Sequence, residues 1–231
     1  KLGGVSFNSD TKETEKLRKK ILDLCIEYFD KAHTTKNFNP GTSIIAASSK
    51  VLTKEDLCAM VDACLDLWLT SGRYAEMFKK DLSKQFGSKF ASLTVSGSSA
   101  NLLAFSALTS ETLGKNKIKP GDEIITVAAG FPTTVAPIIH NGCVPVYLDV
   151  EIDTANIDTK NLKKALTNKT KAVFLAHTLG NPFNVNEITN FCNEHNLYLI
   201  EDCCDAFGSK YDNKTVGSFG DLATLSFYPA H

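Results

Sequence analysis

Apolar residues recur at helical spacing through the first third of the chain. Over 11–33, Leu17, Ile21, Leu24, Cys25, Tyr28 and Phe29 fall at steps of three and four, which predicts a helix with one apolar stripe. Residues 34–52 break that rhythm as a polar connector with the turn signal Asn39-Pro40-Gly41. Thr53-Lys54-Glu55-Asp56 has the form of a capping box, and Leu57, Met60, Val61, Cys64, Leu65 and Trp68 supply the stripe of a second helix. A third is expected over about 74–86, ended by Gly87.

From residue 89 the rhythm changes. Short β-rich runs at 90–95, 124–127, 144–149, 172–176, 197–201 and 223–227 alternate with helical stretches at 98–110, 132–140, 159–166 and 186–195. The helix at 98–110 is expected to present Ala100, Leu103, Ala104, Ala107 and Leu108 on one face. Alternation of this kind predicts an α/β fold whose mainly parallel sheet is covered by helices on both faces. Such sheets bind ligands at the carboxyl ends of their strands, so the residues just after each strand are the candidates for chemistry.

Composition narrows the functional classes. A chain of 231 residues can bury one sizeable core, or one domain with an appendage. A net charge of −1 without a basic block gives no electrostatic support for binding nucleic acid or a membrane surface. No apolar run approaches the roughly 20 residues needed to span a bilayer, and no secretory signal is visible. The seven cysteines are odd in number and lack framework spacing, so they read as reduced thiols of a cytoplasmic protein.

Four strand ends carry candidate chemistry. Ser96-Gly97-Ser98-Ser99-Ala100-Asn101 runs from a strand into a helix. Glycine, hydroxyls and first-turn amides there suit a phosphate, although a plain serine cap reads equally well. Ala128-Ala129-Gly130-Phe131-Pro132-Thr133-Thr134 puts an aromatic at a sheet end, where it can stack on a planar ring or serve as core. Glu201-Asp202-Cys203-Cys204-Asp205 is an acidic cluster ending an apolar strand, costly to bury without a partner. It favours a role for Asp202 toward a cation or protonated ring nitrogen; the cysteine spacing is wrong for zinc. Ala176-His177-Thr178-Leu179-Gly180-Asn181-Pro182 is either a polar strand end with a function or a helix-entry turn.

Taken in order, with Trp68-Leu69-Thr70-Ser71-Gly72-Arg73 before them and Ser226-Phe227-Tyr228-Pro229-Ala230-His231 after, these segments resemble the DegT/DnrJ/EryC1/StrS sugar aminotransferases that use pyridoxal phosphate. The resemblance runs from about residue 50 onward. It implies a fold-type-I large domain over 53–231, truncated before a C-terminal small domain, with 1–52 an N-terminal helix and connector. Within the family the chain is most similar to the iron–sulfur-dependent CDP-4-keto-6-deoxyglucose 3-dehydrases of dideoxysugar and O-antigen biosynthesis.

The resemblance also implies roles. Gly97, Ser98 and Ser99 match the phosphate loop, and Ser226 a later phosphate contact. Phe131 matches the aromatic stacked on the cofactor ring. Asp202 matches the carboxylate facing the pyridine nitrogen, where a fixed negative charge keeps the ring an electron sink. Asp205 stands where many relatives carry glutamine. His231 stands where aminotransferases carry the Schiff-base lysine. An imidazole cannot replace that amine but can remove and return protons near neutral pH.

The implied activity is pyridoxamine-phosphate-dependent loss of the C3 hydroxyl from a nucleotide-linked 4-keto-6-deoxyhexose, with His231 as base at the cofactor's C4′ carbon. A [2Fe-2S] cluster with Cys204 as one ligand, an NADH-dependent iron–sulfur flavoprotein reductase and a homodimer belong to the same implication. The chain by itself is expected to be an inactive fragment of about half the full length. A cluster-free GDP-4-keto-6-deoxymannose 3-dehydratase and a non-catalytic cofactor-binding or dimerisation fragment are the competing readings. An active aminotransferase lacks a lysine near His231, and a nicotinamide dehydrogenase lacks its glycine fingerprint.

Overall fold

Helix capping and strand alternation together lay out the secondary structure of the computed structural model, which describes residues 11–33, 37–45 and 51–229. The chain divides between Phe78 and Lys79 into two compact units. In the first, α1 (Lys12–Ala32) and α2 (Lys54–Leu65) both start from capping boxes, Thr11 with Thr14 and Thr53 with Asp56. Each threonine hydroxyl accepts the amide three residues on, satisfying a donor the helix start leaves unpaired. α2 ends before Trp68, which the sequence pattern had placed on its stripe. Leu67 turns left-handed (φ 47°), and the Trp68 indole donates to the Ser71 carbonyl at 3.0 Å. α3 (Arg73–Phe86) begins with an arginine that pairs with Asp62 and Asp66, as does Arg18 of α1.

The second unit carries the sheet. Its elements are α4 (Gly97–Ala107), β1 (Glu123–Val127), α5 (Pro132–His140), β2 (Val144–Leu148), α6 (Leu162–Ala165), β3 (Thr170–Ala176), α7 (Val185–His195), β4 (Tyr198–Asp202), a small antiparallel hairpin of β5 (Lys210–Tyr211) and β6 (Lys214–Thr215), and β7 (Leu222–Thr224). Five strands pair in the order β2-β1-β3-β4-β7, all parallel. Ile124, Phe174 and Ile200 pack on one face with Phe105 of α4 and Ile138 of α5. Ile125, Val173 and Leu199 pack on the other with Val185, Ile188 and Phe191 of α7. Alternate residues of one strand therefore enter opposite cores, as expected for a sheet buried on both sides.

Two expectations fail in this unit. No strand forms at 90–95, where Phe90 and Val95 are exposed; among the described residues β7 pairs only with β4 on its one side. In α4 the buried stripe is Gly97, Asn101 and Phe105; of the expected aliphatic stripe Leu108, at the C-cap, is buried and Leu103 is half-exposed. The sheet order also explains where a ligand belongs. β2 lies on one side of β1 and β3 on the other, so the crossovers diverge there, and sheets of this kind bind ligands beyond the carboxyl ends of their strands.

Candidate functional site

Asp202 ends β4, the strand neighbouring β3, with its carboxylate buried at 4% exposure. Burying an unpaired carboxylate would be prohibitive, and here it is heavily solvated by protein donors. Asn101 Nδ2 of α4 donates to Oδ2 at 2.8 Å, and Thr134 Oγ1 of α5 donates to the same oxygen at 2.7 Å. The Cys204 amide donates to Oδ1 at 3.1 Å. Behind them the Thr224 hydroxyl of β7 donates to Asn101 Oδ1 at 2.6 Å. Two helices and the turn after β4 converge on one carboxylate, and β7 backs them through Asn101.

The start of α4 is drawn into the same place. A methyl group added to Gly97 would stand 2.8 Å from both the Cys204 sulfur and the Ser226 Cβ, so only glycine lets the helix start approach this closely. Ser96 caps the helix: its hydroxyl accepts the Ser99 amide at 3.1 Å and donates to the Ser99 hydroxyl at 3.1 Å. The serine-cap reading is thus met at Ser96, and it takes up the Ser99 amide. The Gly97 and Ser98 amides, at the first two helical positions, have no carbonyl one turn back and keep the capacity to meet an anion. Ser98 is exposed, and Ser226 is buried with its hydroxyl accepting the Tyr228 amide at 3.2 Å.

Phe131 is the N-cap residue of α5, 67% exposed, and its carbonyl accepts the Thr134 amide at 3.1 Å. The same turn that presents an open aromatic ring therefore also sets the hydroxyl that binds Asp202. Gly97, Cys204, Ser226 and Asp202 are in this way linked by contact or hydrogen bond, Ser98 and Ser99 ride on the same helix turn, and Phe131 is tied in through Thr134. His231 lies outside the described residues. Asn101, Thr134 and Thr224 were not singled out from sequence, although Asn101 is a polar residue at the spacing of a buried stripe.

A second buried polar group adjoins this one. His177 Nε2 and Glu201 Oε2 lie 3.0 Å apart, both without solvent exposure, and the His177 ring stacks on Phe183 at 4.2 Å. Glu201 also accepts the amides of Gly217, Phe219 and Gly220 at 2.6 to 2.8 Å. Burial raises its pKa, but the bonds from His177, Gly217 and Gly220 outweigh that and hold it below the usual range. His177, Glu201 and Cys203 bring ligand atoms within 4.8 Å of one another. Burial nevertheless keeps the Cys203 thiol protonated, and Glu201 is already satisfied, so the group serves as a hydrogen-bonded brace and not as a metal site.

The donor set fits pyridoxal or pyridoxamine phosphate: a fixed carboxylate for the ring nitrogen, an open aromatic face, and helix-start amides with hydroxyls for the phosphate. For an iron–sulfur cluster it offers one candidate ligand, Cys204. Burial, then Asp202, push the Cys204 thiol far up, and Cys204 belongs to no group of three His, Cys, Asp or Glu ligands among the described residues.

Comparison with known proteins agrees. The sequence profile of the DegT/DnrJ/EryC1/StrS aminotransferase family matches residues 51–231. Lipopolysaccharide biosynthesis protein RfbH of Salmonella typhimurium is 52% identical over 215 residues, covering 93% of this chain and 49% of the relative. The dTDP-4-dehydro-2,6-dideoxy-D-glucose 3-dehydratase of Saccharopolyspora spinosa is 48% identical over 203 residues, covering 88% and 44%. A solved structure of E. coli GDP-4-keto-6-deoxy-D-mannose-3-dehydratase with bound hydrated PLP superposes with a TM-score of 0.76 at 35% identity, over 80% of this chain and 47% of that one. The chain spans about half the length of the curated relatives it matches.

Proposed function

The chain belongs to the DegT/DnrJ/EryC1/StrS aminotransferase family, and from that premise we propose that the full-length protein removes the C3 hydroxyl of a nucleotide-linked 4-keto-6-deoxyhexose. CDP-4-keto-6-deoxy-D-glucose is the substrate favoured by the resemblance, and lipopolysaccharide dideoxysugar synthesis the setting. The single observation carrying the reading is the buried Asp202 carboxylate, held by three donors at a strand end beside a glycine-opened helix start.

Pyridoxamine phosphate, when bound, supplies an amine that condenses with the ketone and a ring that accepts electrons. Asp202 contributes the negative charge that holds a proton on the ring nitrogen. Gly97 and Ser98 present amides, and Ser98, Ser99 and Ser226 hydroxyls, to the phosphate; Phe131 covers one face of the ring. His231 would take up the proton from the carbon next to the amine on one of its imidazole nitrogens, and a proton with the departing C3 hydroxide would make the water lost in this step. A lysine at position 231 would instead capture the cofactor aldehyde.

The resemblance further supports a [2Fe-2S] cluster, an NADH-dependent reductase, a homodimer and a cytoplasmic setting for the whole protein, with the large domain starting at residue 53. Of the cluster's ligands the described residues hold the one candidate, Cys204. No helix among the described residues is long and apolar enough to cross a membrane. Incubating full-length protein with pyridoxamine phosphate and CDP-4-keto-6-deoxy-D-glucose tests the proposal by mass spectrometry. Loss of water from the sugar is expected, abolished in His231→Asn with cofactor binding retained. An amino sugar as product would sink it.

A further inference from the structure

Asp202 is held asymmetrically. Among the described residues Asn101 Nδ2 and Thr134 Oγ1 converge on Oδ2, whereas Oδ1 receives the Cys204 amide, and the Cys204 thiol also hydrogen-bonds the carboxylate. The Asn101 amide has one workable orientation. Thr224 donates to its oxygen, which turns its nitrogen toward the carboxylate; the flipped amide would set oxygen against oxygen. Asn101, Thr134 and Thr224 are each at most 4% exposed, and all three make these bonds with side-chain atoms that neither helix nor sheet requires. Asn101 occupies a stripe position between Gly97 and Phe105 where an apolar residue would pack as readily.

We propose that Asn101 and Thr134 are positioning residues for the cofactor, acting through Asp202. They saturate Oδ2 and leave Oδ1 as the oxygen that meets the ring nitrogen of bound pyridoxamine phosphate. This rests on the reading above that Asp202 faces that nitrogen. Two donors on one oxygen fix the plane of the carboxylate, so that its charge stands opposite the nitrogen in a single geometry. With both donors present the fixed charge keeps the nitrogen protonated and the ring draws electrons; without them the carboxylate is free to turn away, and the nitrogen loses the charge that favours its protonated form. Thr224 acts one bond further out by orienting Asn101.

The test is nuclear magnetic resonance of pyridoxamine phosphate labelled with 15N in the ring, bound to full-length protein, across a pH series. The wild type is expected to show the pyridinium shift. Thr134→Val, which keeps the shape and loses the hydroxyl, is expected to move the resonance toward neutral pyridine, and Asn101→Leu to do the same. Thr134→Ser restores the wild-type position. Were Thr134→Val not to fold, Thr224→Val carries the same expectation, since it frees Asn101 to turn. Wild-type pyridinium with unshifted variants overturns the positioning role alone. A wild type that binds the cofactor with an unprotonated nitrogen, or not at all, overturns the underlying reading and the proposal with it.

Discussion

At the scale of single residues, two side-chain choices decide whether the site exists. Gly97 lets α4 start against Ser226 and Cys204. Gly97→Ala is expected to cost about 1–3 kcal/mol by overpacking and to weaken cofactor binding, read by urea unfolding and by titration with pyridoxamine phosphate. Asp202→Asn keeps the shape and removes the charge; it is expected to retain the cofactor and lower kcat by about 10²–10³-fold, measured as sugar dehydration. The sequence made Gly97 and Asp202 legible because a glycine at a helix start and a carboxylate at a strand end are unusual in themselves. Asn101 and Thr134 were not, because each reads as an ordinary helix residue until the fold brings Asp202 between them. The aliphatic stripe of α4 misled for the same reason: Asn101 can be buried only because Asp202 and Thr224 satisfy it.

Among the elements, the brace around Glu201 ties the turn before β7 to the end of β4. Three amides of 217–220 and the His177 ring meet one carboxylate, and β7 then delivers Thr224 to Asn101 and Ser226 to Gly97. The folded-state pKa of Glu201 is depressed below its ordinary 4.5. Its stabilisation is therefore complete above pH 4.5 and is lost as pH falls through the folded value. Glu201→Gln should cost about 1.5–3 kcal/mol at neutral pH and flatten the acid side of a stability-against-pH curve measured by urea unfolding. An unchanged acid limb would show the brace to be idle. Element types from 98 onward follow from period and length: α5 matches its expected 132–140 bounds, and the parallel strands β1, β2, β3 and β4 fall on their apolar runs. The run at 90–95 shows the limit, since a β-rich segment becomes a strand only where a neighbour supplies its hydrogen bonds.

For the molecule as a whole, the first unit is joined by charge and the second by apolar burial. Arg18 and Arg73 cross-link α1, α2 and α3 through Asp62 and Asp66, whereas the sheet fills two apolar layers. The family was legible from segments in a fixed order, because the fold spaces its strand ends and several of them carry a distinct chemical task. What those segments add up to chemically turns on position 231. The measurement that tests this most directly is borohydride reduction and mass spectrometry of full-length protein incubated with pyridoxal phosphate, alongside spectroscopic titration with pyridoxamine phosphate. Reversible binding of the amine with no covalent adduct on the protein is the predicted result. A cofactor trapped on a lysine would contradict the dehydration chemistry and make the protein an aminotransferase.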